Sequence, residues 1–124
     1  MKRLVSLALL VVLGGCISQP PRNPDQAWVE VYSASYDSLL AETLDGATWG
    51  PGSYYQLSPG AHTLGLNFTY GRRFCSFSLM YSDFKAGGDY HLLAGWNLRG
   101  TWLHLLDEQG VILATDTCNS PFGN

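Results

Sequence analysis

The chain has 124 residues, of which 46% are hydrophobic and 14% charged, and its formal net charge at pH 7 is −3. This length accommodates one domain with one core and is too short for two. Because nucleic-acid binding requires clustered lysine and arginine, and acidic residues outnumber basic ones here, we expect no nucleic-acid partner.

The N-terminus has the layout of a secretory signal. Lys2 and Arg3 form a positive n-region, and the apolar run Leu4–Val12 is interrupted only by Ser6. This run is shorter than the ~20 apolar residues that span a bilayer. It therefore predicts a signal peptide over residues 1–15 and not a permanent membrane helix.

The segment Leu13–Cys16 reads Leu-Gly-Gly-Cys and directly follows the apolar run. It resembles the lipobox of bacterial lipoproteins, in which small residues precede a cysteine that accepts a diacylglycerol. The resemblance implies that Cys16 becomes the first mature residue and carries the lipid. An ordinary cleaved signal with a coincidental cysteine, or a non-bacterial protein, are the alternatives.

A lipid on Cys16 makes the membrane the expected partner. Each buried CH₂ of an acyl chain contributes about 0.8 kcal/mol, so a triacylated cysteine holds a protein on a bilayer without help from its domain. Ile17 stands where an aspartate usually retains Gram-negative lipoproteins at the inner membrane. The resemblance therefore implies the outer membrane, with the domain facing the periplasm.

Residues 16–26 form a predicted tether after the lipidated cysteine. The segment has no apolar periodicity and contains Pro20, Pro21 and Pro24, which favour extended chain. We expect a single folded domain over residues 27–124.

Hydrophobic residues in this domain alternate with a period of two between Gly, Pro, Asn and Asp turns, which predicts an all-β fold and a small antiparallel β-sandwich. Ala61–Tyr70 and Phe74–Ser82 alternate most clearly and predict a hairpin. The predicted strands are Trp28–Ala34, Leu39–Leu44, Tyr54–Leu57, Ala61–Tyr70, Phe74–Ser82, Tyr90–Leu98, Trp102–Leu106 and Val111–Thr115.

A Pro-Gly turn stands in the middle of the domain, where Leu57–Leu64 reads Leu-Ser-Pro-Gly-Ala-His-Thr-Leu. With Asp45-Gly46 and the later Lys85–Tyr90, this segment resembles PEGA-like domains and related small bacterial lipoproteins. The resemblance implies an immunoglobulin-like or transthyretin-like sandwich that serves as an envelope module. It carries over no catalytic residues.

No residue pattern points to a catalytic centre or to a cofactor. His62, His91 and His104 lack the close spacing common in zinc sites, so we expect no metal and interpret His62 as a hydrogen-bonded residue at a strand end. Arg72 and Arg73 form the only basic pair of the domain. They fit solvated turn residues better than a phosphate or headgroup site.

Aromatic residues are the compositional surplus of the chain. Trp28, Trp96 and Trp102 are interpreted as core or sheet-face residues. Trp49 stands in a Gly-Pro loop with Tyr54 and Tyr55 close behind, which makes these three residues the candidate binding surface for a protein or a sugar ring. The alternative is a tryptophan that folds back over the end of a sheet.

The sequence alone is compatible with three functions. The first is a membrane-anchored, non-catalytic envelope lipoprotein that acts as an accessory or interaction module for another envelope protein. The second is a glycan or peptidoglycan binder that uses exposed aromatic residues. The third is a hydrolase whose site the sequence does not reveal.

Two cysteines, Cys75 and Cys118, remain once Cys16 is lipidated. Export leads to a compartment in which paired thiols oxidise, so we predict one disulfide between them that ties down Asn119–Asn124. Two free thiols or a dimer linked through Cys118 are the alternatives.

The lipobox yields a direct test. The variant Cys16→Ser is expected to remain an unlipidated precursor, because a hydroxyl does not replace the thiol that accepts the diacylglycerol. Metabolic labelling with a fatty-acid analogue, with the wild-type chain in parallel, measures this. A wild-type chain that takes up no label contradicts the anchor.

Overall fold

Nine β-strands make up most of residues 21–32 and 37–118, which the computed structural model describes. The predicted signal, Cys16, residues 33–36 and Asn119–Asn124 lie outside the described residues. The strands are β1 (Ala27–Val31), β2 (Asp37–Leu44), β3 (Ala47–Thr48), β4 (Tyr54–Leu57), β5 (Gly60–Tyr70), β6 (Arg73–Phe84), β7 (Asp89–Asn97), β8 (Gly100–Leu106) and β9 (Ile112–Thr117).

The strands form two sheets, with the orders β4-β1-β7-β8-β9 and β3-β2-β5-β6. The predicted class, a small all-β sandwich, is confirmed. Within the described residues, six strand pairs are antiparallel and the pair β1–β7 is parallel. The parallel pair joins two strands that are far apart in the chain, an arrangement that no local sequence pattern specifies. In the same part of the chain, no helix is long and apolar enough to cross a membrane.

The core lies between the inner faces of the two sheets, and the β5–β6 hairpin contributes most to it. Its register pairs Leu66 with Phe77 and Phe68 with Cys75, and all four side chains are buried. The alternation predicted for this hairpin is confirmed. Burying a leucine or phenylalanine side chain contributes about 1.5–3 kcal/mol, so this register carries much of the stability of the domain.

Strand ends differ from the predicted ones where turn chemistry decides them. The short strand β3 was not predicted. It pairs with the end of β2 across Asp45 and Gly46, whose φ angles are 53° and 84°. Two central residues with positive φ are those of a type I′ hairpin turn, for which Asp-Gly is a preferred sequence. The Asp-Gly pair therefore joins β2 and β3 in a hairpin, whereas the sequence interpretation ended β2 at this turn and placed no strand after it.

One long side of the sandwich is closed by covalent and polar contacts between the edge strands β6 and β9. Cys75 and Cys118 form the predicted disulfide, with a Cα–Cα distance of 5.9 Å. The backbone N–H of Ser78 donates to Asp116 Oδ2 at 2.8 Å. This contact satisfies a donor on an edge strand that no neighbouring strand pairs with.

The end of the predicted tether contacts the domain. Arg22 forms an ion pair with Asp89, and its guanidinium lies 4.6 Å from the ring centroid of Trp28. The backbone N–H of Asn23 donates to Gln56 Oε1 at 2.9 Å. These contacts begin before the predicted domain boundary at Ala27, so Arg22 and Asn23 pack as part of the folded unit.

Loss of the disulfide is expected to lower the free energy of unfolding. The bond closes a sequence separation of 43 residues, which corresponds to about 4 kcal/mol in the chain-entropy model. Denaturant titrations of the wild type and of Cys75→Ala/Cys118→Ala measure the difference. Intact mass is the control: the exported monomer gains two alkyl groups only after reduction, and alkylation without reductant contradicts the pairing.

Candidate functional site

A cleft of about 770 Å³ opens at one end of the sandwich, between the β5–β6 turn and the β7–β8 turn. Gly71 is the first residue of the two-residue β5–β6 turn and has a φ of 60°, as a type II′ turn requires. Leu98 and Arg99 form the other turn, and the N–H of Arg99 donates to Asn97 Oδ1 at 2.8 Å. Two tight turns thus fix the two rims of the cleft.

The cleft has an aromatic wall and a recessed floor. The ring of Trp96 stacks on that of Tyr70 at a centroid distance of 5.4 Å, and its indole N–H donates to Asp37 Oδ2 at 3.3 Å. Tyr70 and Thr101 are buried at the floor, where the Thr101 hydroxyl donates to the Tyr70 oxygen at 3.1 Å. Trp96 itself remains 54% exposed. One face of the indole is therefore fixed while the side chain still reaches solvent.

Three arginines, Arg72, Arg73 and Arg99, line the same cleft. None of them forms an ion pair with any residue in the described ranges 21–32 and 37–118. The other basic residues of these ranges, Arg22 and Lys85, lie at the opposite end of the sandwich and pair with carboxylates. The cleft therefore concentrates the uncompensated positive charge of an acidic protein.

The predicted surface of Trp49, Tyr54 and Tyr55 has a different role. Trp49 packs partly buried against the core, and its indole N–H donates to the Tyr54 carbonyl at 2.7 Å. Tyr55 is 0% exposed and its hydroxyl donates to the Gly65 carbonyl at 2.7 Å. Burial raises the pKa of this hydroxyl, which stays neutral. Tyr55 therefore offers no surface to a ligand, and Trp49 adopts the folded-back arrangement.

Tyr54 reaches the surface but is already stacked. Its ring lies on Trp28 at a centroid distance of 4.5 Å with an interplanar angle of 7°. The guanidinium of Arg22 also lies over the Trp28 ring. This stack covers the outer face of β1, so its aromatic surface serves packing.

Ser58, His62 and Asp45 converge at the end of the sandwich opposite the cleft. His62 Nδ1 lies 2.6 Å from Asp45 Oδ2, and His62 Nε2 lies 3.2 Å from the Ser58 hydroxyl oxygen. These three residue types at these distances resemble the arrangement of a nucleophile, a base and an orienting carboxylate. The sequence interpretation did not bring them together as a group.

The hydrogen bonds of His62 do not fit a base for Ser58. Nε2 lies 2.7 Å from the carbonyl oxygen of Ser58, closer than the hydroxyl. A carbonyl is only an acceptor, so this shorter contact is a hydrogen bond only when Nε2 carries the hydrogen, and a protonated Nε2 has no lone pair for the serine proton. His62 thus bridges the Ser58 turn and Asp45, as expected of a strand-end histidine.

His62, His91 and His104 do not form a cluster within the described residues. In the part of the chain that the structure describes, no group of three or more His, Cys, Asp or Glu side chains is placed to hold a metal ion. His62 lies at the start of β5, His91 on β7, and His104 on β8, where it stacks on Trp102 at 4.5 Å.

Sequence reasoning missed the cleft although it noted one part of it. Arg72-Arg73 was interpreted as a solvated pair in a turn, and Trp96 as a core or sheet-face residue. The sequence did contain one further signal of the cleft: the turn of Leu98 and Arg99 carries another arginine at the end of the predicted strand Tyr90–Leu98. Placing both turns at the same end requires the strand order β4-β1-β7-β8-β9 and the facing of the two sheets, which the sequence does not provide.

Comparison with known proteins gives no relative for this chain. No family model matches it, and neither a curated protein nor a solved structure is significantly similar. The lipobox and the PEGA-like resemblance therefore stay predictions.

The His62 bridge predicts a pH dependence. A hydrogen bond from the Thr63 N–H and then one from His62 lower the pKa of Asp45 below its usual 3.8. A lowered folded-state pKa means that the stabilisation is present above the unfolded value and is lost as pH falls through the folded one. Unfolding titrations between neutral pH and pH 2 are expected to show a smaller acid loss in Asp45→Asn than in the wild type. Identical acid profiles contradict the bridge.

Proposed function

We propose that this chain is a membrane-anchored, non-catalytic cell-envelope lipoprotein whose domain is an interaction module. Its binding site is the cleft lined by Arg72, Arg73 and Arg99, the arginine cleft. The observation that carries the proposal is the cleft itself. Convergent cations beside an aromatic wall and a recessed floor are the chemistry of a ligand site.

The position of the cleft fits an anchored module. The described chain enters beside Asp89, at the start of β7, and the cleft lies beyond Asn97, at the end of the same strand. The nine residues of β7 separate the two by about 26 Å at 3.3 Å per residue. In this proposal the tether from Cys16 joins the domain at the end opposite the cleft.

The distribution of charge supports the same orientation. The cleft end carries three unpaired arginines, whereas the end where the chain enters is rich in carboxylates. Separation of this kind steers an anionic partner toward one end of the molecule. The carboxylates at the end where the chain enters are Asp25, Asp45, Asp83, Asp89, Asp107 and Glu108.

Binding of a glycan or of peptidoglycan is the second candidate function. Trp96 favours it, because an indole held on one side and exposed on the other suits stacking against a sugar ring. The site is then the cleft and not the Trp49 loop. The hydrolase alternative gains no support from Ser58 and His62, because Nε2 is occupied by a carbonyl.

Photo-crosslinking in cells tests which end of the domain is used. A photoreactive amino acid at Leu98, which is fully exposed on the cleft rim, is expected to give crosslinks to envelope components. The matched control is the same amino acid at Val111, which is also exposed but follows the β8–β9 turn at the other end. Crosslinks from Val111 and none from Leu98 contradict the proposed site.

A further inference from the structure

We propose that the arginine cleft recognises an anionic saccharide, with the sugar ring against Trp96 and its carboxylate or phosphate held by Arg72, Arg73 and Arg99. This inference rests on the proposed function, because it names the ligand class of the same site. Cell-wall glycopeptides and phosphorylated glycolipid headgroups are two sources of this one chemistry.

The charge requirement follows from the arginines. Each guanidinium presents planar paired donors that match the two oxygens of a carboxylate or phosphate. Arg72 and Arg73 stand on one rim and Arg99 on the other, so an anion in the cleft meets donors from both turns. None of the three forms an ion pair within the described residues; Asp37, a carboxylate at the same end of the sandwich, accepts the indole N–H of Trp96. A neutral ligand has no charged acceptor for the guanidinium donors, which then stay hydrogen-bonded to water.

The ring requirement follows from the aromatic wall. Tyr70 supports one face of Trp96, and the tight β7–β8 turn follows directly after it. The π-face of an indole carries partial negative charge and attracts the C–H groups of a sugar ring. Because its indole N–H is already bonded to Asp37, Trp96 is fixed in place before the ligand arrives. An anion without a ring contacts the arginines but does not cover the exposed face of Trp96.

The recessed floor favours a discrete saccharide over the surface of a bilayer. Leu98 is fully exposed on the rim and is suited to membrane insertion, but Tyr70 and Thr101 are buried below it. A flat lipid surface contacts the rim alone. A sugar with one charged group reaches the floor, the wall and both arginine-bearing turns.

The test uses the full-length lipidated protein in phosphatidylcholine nanodiscs and calorimetric titration with four soluble probes. The anionic probes are a disaccharide-tetrapeptide from peptidoglycan and a 4′-phosphorylated N-acetylglucosamine disaccharide without fatty-acyl chains. The others are N-acetylated chitotriose, which is neutral, and inorganic phosphate. We expect at least one anionic saccharide to bind at least tenfold more tightly than chitotriose and phosphate. Which of the two binds identifies the source, and either supports the proposal.

Variants assign the binding to the cleft. Arg72→Gln and Arg99→Gln are each expected to weaken the anionic saccharide about tenfold, the effect of one charge-assisted hydrogen bond. Trp96→Ala is expected to weaken the saccharide and leave phosphate unchanged. Lys85→Gln is the matched control, because it removes one exposed positive charge at the other end and is expected to change nothing.

Three results overturn the ligand class. These are equal binding of chitotriose and the anionic saccharides, unchanged affinity in both arginine variants, or no binding of either anionic saccharide to the wild type. Fatty-acid labelling of Cys16 and crosslinking from Leu98 are scored separately, in the cells from which the protein is purified. If labelling and crosslinking succeed but no saccharide binds, the anchored interaction module is supported and only the proposed ligand class is wrong.

Discussion

The register of the β5–β6 hairpin is the constraint on which the rest of the structure depends. It directs Leu66, Phe68 and Phe77 into the core, and a slip by one residue turns every one of them toward solvent. The same register brings Cys75 to the edge that β9 approaches. It also fixes the turn that carries Arg72, so the core, the disulfide and the cleft follow from one set of strand pairings.

The two ends of the sandwich have opposite character because the charges at the strand ends and turns differ in sign. One end holds the cleft arginines, which form no ion pair within the described residues, while the other is rich in carboxylates, and the arginine and lysine there are paired. A cleft lined by charge of one sign focuses its field and raises the local concentration of oppositely charged ligands. This is the physical reason for treating the cleft as functional and the Arg22 stack as structural.

His62 shows why residue types alone do not define chemistry. Serine, histidine and aspartate at hydrogen-bond distances suggest a hydrolase, yet one additional acceptor, the Ser58 carbonyl, changes the role of the imidazole. The ring then acts as a bridge between the turn before β5 and the turn after β2. Asp45 has positive φ there and accepts two hydrogen bonds, which hold the type I′ turn in place.

The sequence by itself determined the β-class and the alternation of the hairpin, because a period of two is a local signal, and it allowed the Cys75–Cys118 pairing to be predicted on the expectation of export. It also gives the prediction of a lipid on Cys16. Only the tertiary structure decided the parallel β1–β7 pair, the burial of Tyr55 and the cleft that joins Arg72 to Trp96 and Arg99. These depend on the order of the strands and on the facing of two sheets. Contacts between residues far apart in sequence set that order, and they leave no periodic mark in the chain.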